Sequence, residues 1–282
     1  MKKPIICPDK HLGIIFQPRS GSTVMRHYLS SLLDRINLGE WFNTNTSHVA
    51  VNIDGEHVQV RLGEEFTSDK ETTEYISASL PGQIKILDRL SDINRLSVFG
   101  IHAGGYNRLY PEGLKIVQRQ RNIQFIQLER ADVLYSLFSR SIAMRTDVWH
   151  NGNLQLVSRD IKRFVYPMAE LKETLLRYVI VRKYVLDCFG LLPTVYYEQF
   201  QFNTGNIRNM FDGIPNKLIS IPINKFVGNH KDLIVNLDEV ETYYEEFVNT
   251  NREFFPQYFG NVPGIIIPAS QGYQPHLLEG CH

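Results

Sequence analysis

Three short runs, LGIIF (12–16), RLSVFGIHA (95–103) and IQFIQLER (123–130), are rich in apolar and β-branched residues, and helix-length amphipathic stretches separate them. Runs of this kind read as buried strands, and their alternation with helices is the pattern of a layered α/β domain. The expected fold is therefore a three-layer α/β arrangement, P-loop-like, with a central and mostly parallel sheet flanked by helices. A first strand is expected over Gly13 to Phe16, followed by a helix from Ser22 to about Ile36, with Val24, Tyr28, Leu29, Leu32 and Leu33 on one face.

Two alternating runs around Asp54-Gly55 predict a β-hairpin insertion over about residues 48–66. The segment TTEYISASLPGQIKILDRL is partly helical by pattern, with Pro81-Gly82 as an interruption. Further helices are expected over YPEGLKIVQRQRN, over ADVLYSLFSRSIAMRT with Asp132 as its N-cap, from about Asp160 to Phe189, and over LDEVETYYEEFVNTNREFF. LPTVYYEQF reads as one more strand.

A chain of 282 residues with 43% hydrophobic content can bury one substantial core. A single domain over 1–282 is the expectation, its body about residues 12–260 and its end, 261–282, a Pro/Gly-rich tail. Lysine plus arginine and aspartate plus glutamate number thirty each, so no general basic field invites nucleic acid or an anionic membrane. Any anion site must be local.

Cys7, Cys188 and Cys281 are odd in number, widely spaced and without metal-ligand spacing. They predict a reducing, cytoplasmic setting and no disulfide framework. The histidines form no ligand cluster, and no metal is expected. The opening MKKPIICPDKH is too short in apolar residues for a signal segment, and no run is long enough for a spanning helix.

Between the first strand and its helix stands Pro18-Arg19-Ser20-Gly21-Ser22-Thr23. A strand that turns sharply into a helix leaves backbone N–H groups open at the helix start, where they favour an anion. Gly21 permits a turn that other residues resist, Ser20, Ser22 and Thr23 add hydroxyls, and Arg19 adds a permanently charged fork. An ordinary capped turn is the competing reading. A standard nucleotide-triphosphate loop is excluded, because the Gly-Lys-Ser/Thr ending is missing and arginine stands in place of lysine.

These residues carry a resemblance. FQPRSGSTVMRHYL resembles the 5'-phosphosulfate loop of the sulfotransferase superfamily, whose members use 3'-phosphoadenylyl sulfate (PAPS). FIQLERADVLYSLFSRSIAMRT is similar to that superfamily's 3'-phosphate segment, where an arginine at a strand end and a serine on the next helix grip the nucleotide. The resemblance implies these roles for Arg130 and for Ser139, with Ser136, on nearly the same helix face, as the alternative hydroxyl.

Shorter likenesses, NLGEWFN, MRTDVWHNGNL, TVYYEQF and NHKDLIVNLDEVETYY, point within the superfamily toward bacterial trehalose-type carbohydrate sulfotransferases.

The implied function is sulfuryl transfer from PAPS to a hydroxyl of a carbohydrate or small-metabolite acceptor, leaving adenosine 3',5'-bisphosphate and requiring no metal. Arg19 and the loop would hold the transferring group, and a base must take the acceptor proton. Glu40 is the first candidate, in the family-like segment after the loop helix. His102, at the end of a buried strand, is the second; the trehalose-type group carries lysine near that place.

Trp149, His150 and the hairpin near Asp54 are candidates to line an acceptor cleft, with plain core as the competing role for Trp149. Homodimerisation is allowed and nothing in the sequence requires it. The alternatives are a P-loop kinase using a nucleoside triphosphate and a non-catalytic nucleotide-binding relative.

Overall fold

The computed structural model describes residues 5–42, 48–53, 56–61, 80–103, 112–146, 162–200, 206–215, 219 and 230–255. Five strands form one all-parallel sheet: β1 (His11–Phe16), β2 (Ile36–Glu40), β5 (Ser97–His102), β6 (Ile123–Glu129) and β7 (Thr194–Tyr196). Their order across the sheet is β2-β5-β1-β6-β7. Two further strands, β3 (His48–Ile53) and β4 (Glu56–Arg61), pair antiparallel in a separate ladder; Asp54 and Gly55, expected at its turn, lie outside the described residues.

The three layers follow from side-chain alternation along β1. Leu12, Ile14 and Phe16 point to one face, where they pack with Met25, Tyr28, Leu29 and Leu32 of α1 (Ser22–Leu33). Ile15 points to the other, toward α2 (Leu80–Asp92), α3 (Glu112–Gln118) and α5 (Met168–Phe189). Each large apolar side chain so buried contributes about 1.5–3 kcal/mol, so both faces are held by the hydrophobic effect. A third cluster joins α4 (Val133–Thr146), α5 and α7 (Leu237–Thr250) through Phe138, Leu171, Leu175, Val240 and Tyr244. A short helix, α6 (Asn206–Asn209), adds Ile207 to the α1 side.

Several expected boundaries move. The first helix does not reach Ile36: it ends at Leu33 because Asp34 turns into the left-handed region at φ 54°, and Ile36 already begins β2. Pro81 and Gly82 do not interrupt a helix but lie in the first turn of α2, where a proline removes no intrahelical bond. The long helix starts at Met168 rather than near Asp160, since Pro167 is its N-cap and Phe164 instead makes an isolated bridge with Ile234. β7 spans only Thr194–Tyr196 and then tightens into a 3-10 turn at Tyr197–Gln199. Asp132 caps α4 as expected, its Oδ1 accepting from the Tyr135 N–H at 2.8 Å.

Trp149, His150, Cys281 and the tail 261–282 lie outside the described residues. Among the described residues no helix is long and apolar enough to cross a membrane.

His11 is among the polar residues built into this core. His11 is 0% exposed, its Nδ1 accepts from the Ser97 N–H at 3.0 Å, and its Nε2 lies 2.9 Å from the Leu87 carbonyl. Protonating Nδ1 would forfeit the bond from Ser97, and burial lowers the imidazole below its ordinary range. His27, His102 and His230 shift the same way, each chiefly by burial; the Glu198 carboxyl, raised by burial, acts in the opposite sense.

A lowered histidine contributes stability that is complete above its unfolded value and is lost as pH falls toward the folded one. Urea unfolding between pH ~6.5 and ~5 should therefore show stability declining, by up to about 1.4 kcal/mol per pH unit for each such group. Constant stability over that window would show that the imidazoles are not held neutral.

Candidate functional site

At the carboxyl edge of a parallel sheet, ligands are received where neighbouring strands send their chains in opposite directions. Here β1 leads through α1 toward β2 on one side, and β6 leads through α4 toward β7 on the other. The crevice between the ends of β1 and β6 is that place. Arg19 follows the first strand by three residues and Arg130 follows the second directly, so the topology delivers both arginines to one point.

The loop after β1 is held in an uncommon shape. Arg19 has φ 64° and Gly21 has φ 82°, both in the left-handed region. For Gly21 a side chain is excluded twice over, because a Cβ would meet the Tyr197 ring at 2.3 and 2.6 Å. Gly21 is the N-cap of α1, no side chain caps that end, and its first turn carries no acid. The positive end of the helix and its open N–H groups are thereby left to face the turn.

Two hydrogen bonds fasten the loop to α4. The Ser136 hydroxyl donates to the Pro18 carbonyl at 3.0 Å, and the Arg19 Nε–H donates to the Ser139 Oγ at 3.1 Å. Both candidate serines thus touch the loop, Ser136 at a backbone carbonyl and Ser139 at the Arg19 guanidinium. The Thr23 Oγ1 accepts from an Arg26 Nη–H at 3.5 Å.

Around Arg130 the structure adds residues that sequence reasoning did not single out. Its guanidinium lies 4.1 Å from the centre of the Tyr197 ring and 5.2 Å from that of Tyr135. Glu198, beside Tyr197, accepts from the Ala131 N–H at 3.0 Å and so fixes the turn that carries Arg130. His230, in the 3-10 turn His230–Leu233, is 6% exposed, and its ring centre is 4.3 Å from that of Tyr135. Burial, then the charges of Arg130 and Arg19, push its imidazole down to about 3. Arg19 is itself lowered, first by burial and then by Arg130. Two cations and a buried imidazole within electrostatic reach of one another favour a negatively charged guest.

Two polar atoms support that reading. Ser20 is 3% exposed, and among the described residues its Oγ has no hydrogen-bond partner; the same holds for the buried Nε of Arg130. A donor left without a partner inside a protein costs about 1–3 kcal/mol, which a bound oxyanion would recover.

The two base candidates also come together, at the ends of neighbouring strands. Glu40 closes β2 and His102 closes β5, which are neighbours in the sheet. They interact electrostatically: burial lowers the His102 imidazole, Glu40 opposes that shift, and Arg140 of α4 adds to it. Arg26 of α1, nearly buried, is electrostatically linked to the same Glu40 and donates to the Asn37 Oδ1 at 3.2 Å. Its place over β5 depends on Gly100, where a Cβ would stand 3.1 Å from the Arg26 Cδ and 2.7 Å from the Phe16 ring.

A narrow crevice continues from the loop toward α5. Pro18, Ser20, Arg130 and Ser136 are on its loop side, and Tyr178 and Arg182 are on the other. Arg182 forms a buried ion pair with Glu129, whose Oε1 also accepts from the Gln127 amide at 2.6 Å. Among the described residues no group of histidine, cysteine and acid side chains could hold a metal ion. Comparison of the chain with family models, with curated proteins and with solved structures gives no match.

The Gly21 geometry makes a direct prediction. Gly21→Ala should destabilise the fold by roughly 1–3 kcal/mol, through positive-φ strain and the Tyr197 clash together. Thermal unfolding of the variant against the parent checks this, and an unchanged Tm would mean that the loop does not hold this shape.

Proposed function

We propose that the chain is a PAPS-dependent sulfotransferase acting on a hydroxyl of a carbohydrate or small-metabolite acceptor. The observation that carries the reading is the convergence of Arg19, the unpartnered Ser20 hydroxyl and the open end of α1 with Arg130, at the point where β1 and β6 diverge. This is an anion site of two arginines without the lysine of a triphosphate loop. Its partners also fit the motif resemblance at Pro18–Thr23 and at Arg130, Ser136 and Ser139.

In this reading the loop residues Pro18 to Thr23 hold the 5'-phosphosulfate, and Arg130 with Ser139 holds the 3'-phosphate. When bound, the donor supplies a sulfuryl group whose bond to the 5'-phosphate breaks as the acceptor oxygen attacks. Arg19, held by Ser139, and the first-turn N–H groups of α1 stabilise negative charge on the departing phosphate. Glu40 or His102 takes the acceptor proton. His102, held neutral by burial, has a ring nitrogen able to accept it, and Glu40 stands beside it to compensate the resulting charge. Arg26 and Asn37 are positioning residues for this pair.

Adenosine 3',5'-bisphosphate at ~100-fold above its Kd should raise the Tm by roughly 5 °C without Mg²⁺. A larger shift with ATP and Mg²⁺ would favour a kinase and overturn the proposal. Labelled sulfate transfer from PAPS into a pooled carbohydrate and metabolite extract should be abolished in Arg19→Ala. Glu40→Gln and His102→Gln then identify the base, by which of the two loses kcat at least about 100-fold. A thermal shift without any labelled product would leave a binding protein instead of an enzyme.

A further inference from the structure

His230 has no part in the transfer step described above, yet it is buried in the anion site. Its ring packs on Tyr135 at 4.3 Å, and the Arg130 guanidinium lies 5.2 Å from the centre of the same tyrosine ring. Arg19 is within electrostatic reach from the loop after β1. Three nitrogen-bearing side chains from three separate segments thus lie within electrostatic reach of one another, and only the imidazole can change its charge near neutral pH.

We propose that His230 is a third cationic ligand of the anion site, taking a proton from solvent when a sulfate or phosphate dianion binds beside Arg19 and Arg130. The inference rests on reading that place as an anion site, not on sulfuryl transfer. With the arginines alone, a charge on the imidazole is repelled from two sides and poorly solvated. A dianion reverses the sign of the local field and offers an oxygen to a ring N–H. The proton ends on a ring nitrogen, and no covalent bond to the ligand forms or breaks.

The charged and titratable groups near the imidazole, Tyr135 and Arg130 are of both signs. Arg19 comes from the β1 loop, Arg130 and Asp132 from the β6–α4 turn, and Tyr135 from α4. Tyr197 and Glu198 come from the turn after β7, while Lys231 and Asp232 share the histidine's own turn. Lys231 is engaged with Glu241 at 2.6 Å, and Glu198 with the Ala131 amide. The acids on this side of the site are therefore tied to the backbone turn or carried on its rim, and the arginines set the response of His230.

Inorganic sulfate is the suitable probe, because it stays a dianion throughout the useful pH range and any pH dependence then belongs to the protein. Calorimetric titration of the full chain at constant ionic strength, from pH ~8 to ~5.5, should show affinity rising about tenfold for each pH unit below the bound-state value of His230. Repeating it in buffers of different ionisation enthalpy should show uptake of about one proton per sulfate. In His230→Asn both the slope and the proton uptake should vanish.

If that variant does not fold, histidine resonances of the parent protein serve instead: one buried imidazole should become charged on adding sulfate. Sulfate affinity independent of pH would overturn the inference and leave the anion site standing. A slope retained in His230→Asn, or lost in His102→Gln instead, would also overturn it. Absence of sulfate binding at every pH would remove the anion site itself, and the inference with it.

Discussion

Parallel pairing of β1 with β6 is the interaction on which the site depends. It runs from His11 opposite Ile123 to Phe16 opposite Leu128, and it brings the ends of two strands more than a hundred residues apart into line. Because the chain leaves these ends in opposite directions, neither exit covers the other. The crevice is a consequence of the strand order, and Arg19 and Arg130 occupy it because each follows its strand closely. Had β6 joined the sheet beyond β5, the same two arginines would stand on separate edges.

What surrounds them is arranged by smaller constraints. Glu198 braces the turn that carries Arg130 through a backbone N–H, and Tyr197 fills the space that a side chain at position 21 would need. The loop shape and the Arg130 shape are therefore set by adjacent residues of one 3-10 turn. On the other side of β1, Gly100 leaves room for Arg26, which in turn stands by Glu40. Both halves of the site use a glycine to admit a large side chain.

Much of the layered fold was legible in the amino-acid order, since strands buried on two faces leave unbroken apolar runs and the helices between them keep an apolar stripe. The turn at Pro18–Thr23 was legible for the same reason: it falls between two such elements. β2 was not, because Ile36–Glu40 is a short edge strand, and only Leu38 of its five residues is fully buried. The end of α1 was hidden because Asp34, not a glycine, takes the left-handed turn. Tyr197, Glu198 and His230 fall within runs that the sequence marks, TVYYEQF and NHKDLIVNLDEVETYY, but nothing local gives any of them a place in the site. Their roles arise from tertiary packing against α4 and the β6 turn, and a spacing rule cannot register a neighbour as distant along the chain as Ala131 is from Glu198.

The bonds from Ser136 to Pro18 and from Arg19 to Ser139 close loops of more than a hundred residues. Such contacts carry the closure entropy of the whole intervening chain, so they are favourable only together with the strand pairing that brings their ends close. The strand, turn and helix at the amino end can take up their general course early. The detailed posture of Arg19, however, belongs to the moment when α4 docks. A nascent chain released before α4 has emerged would carry the whole motif and still lack the grip, which makes the loop a reporter of completed folding.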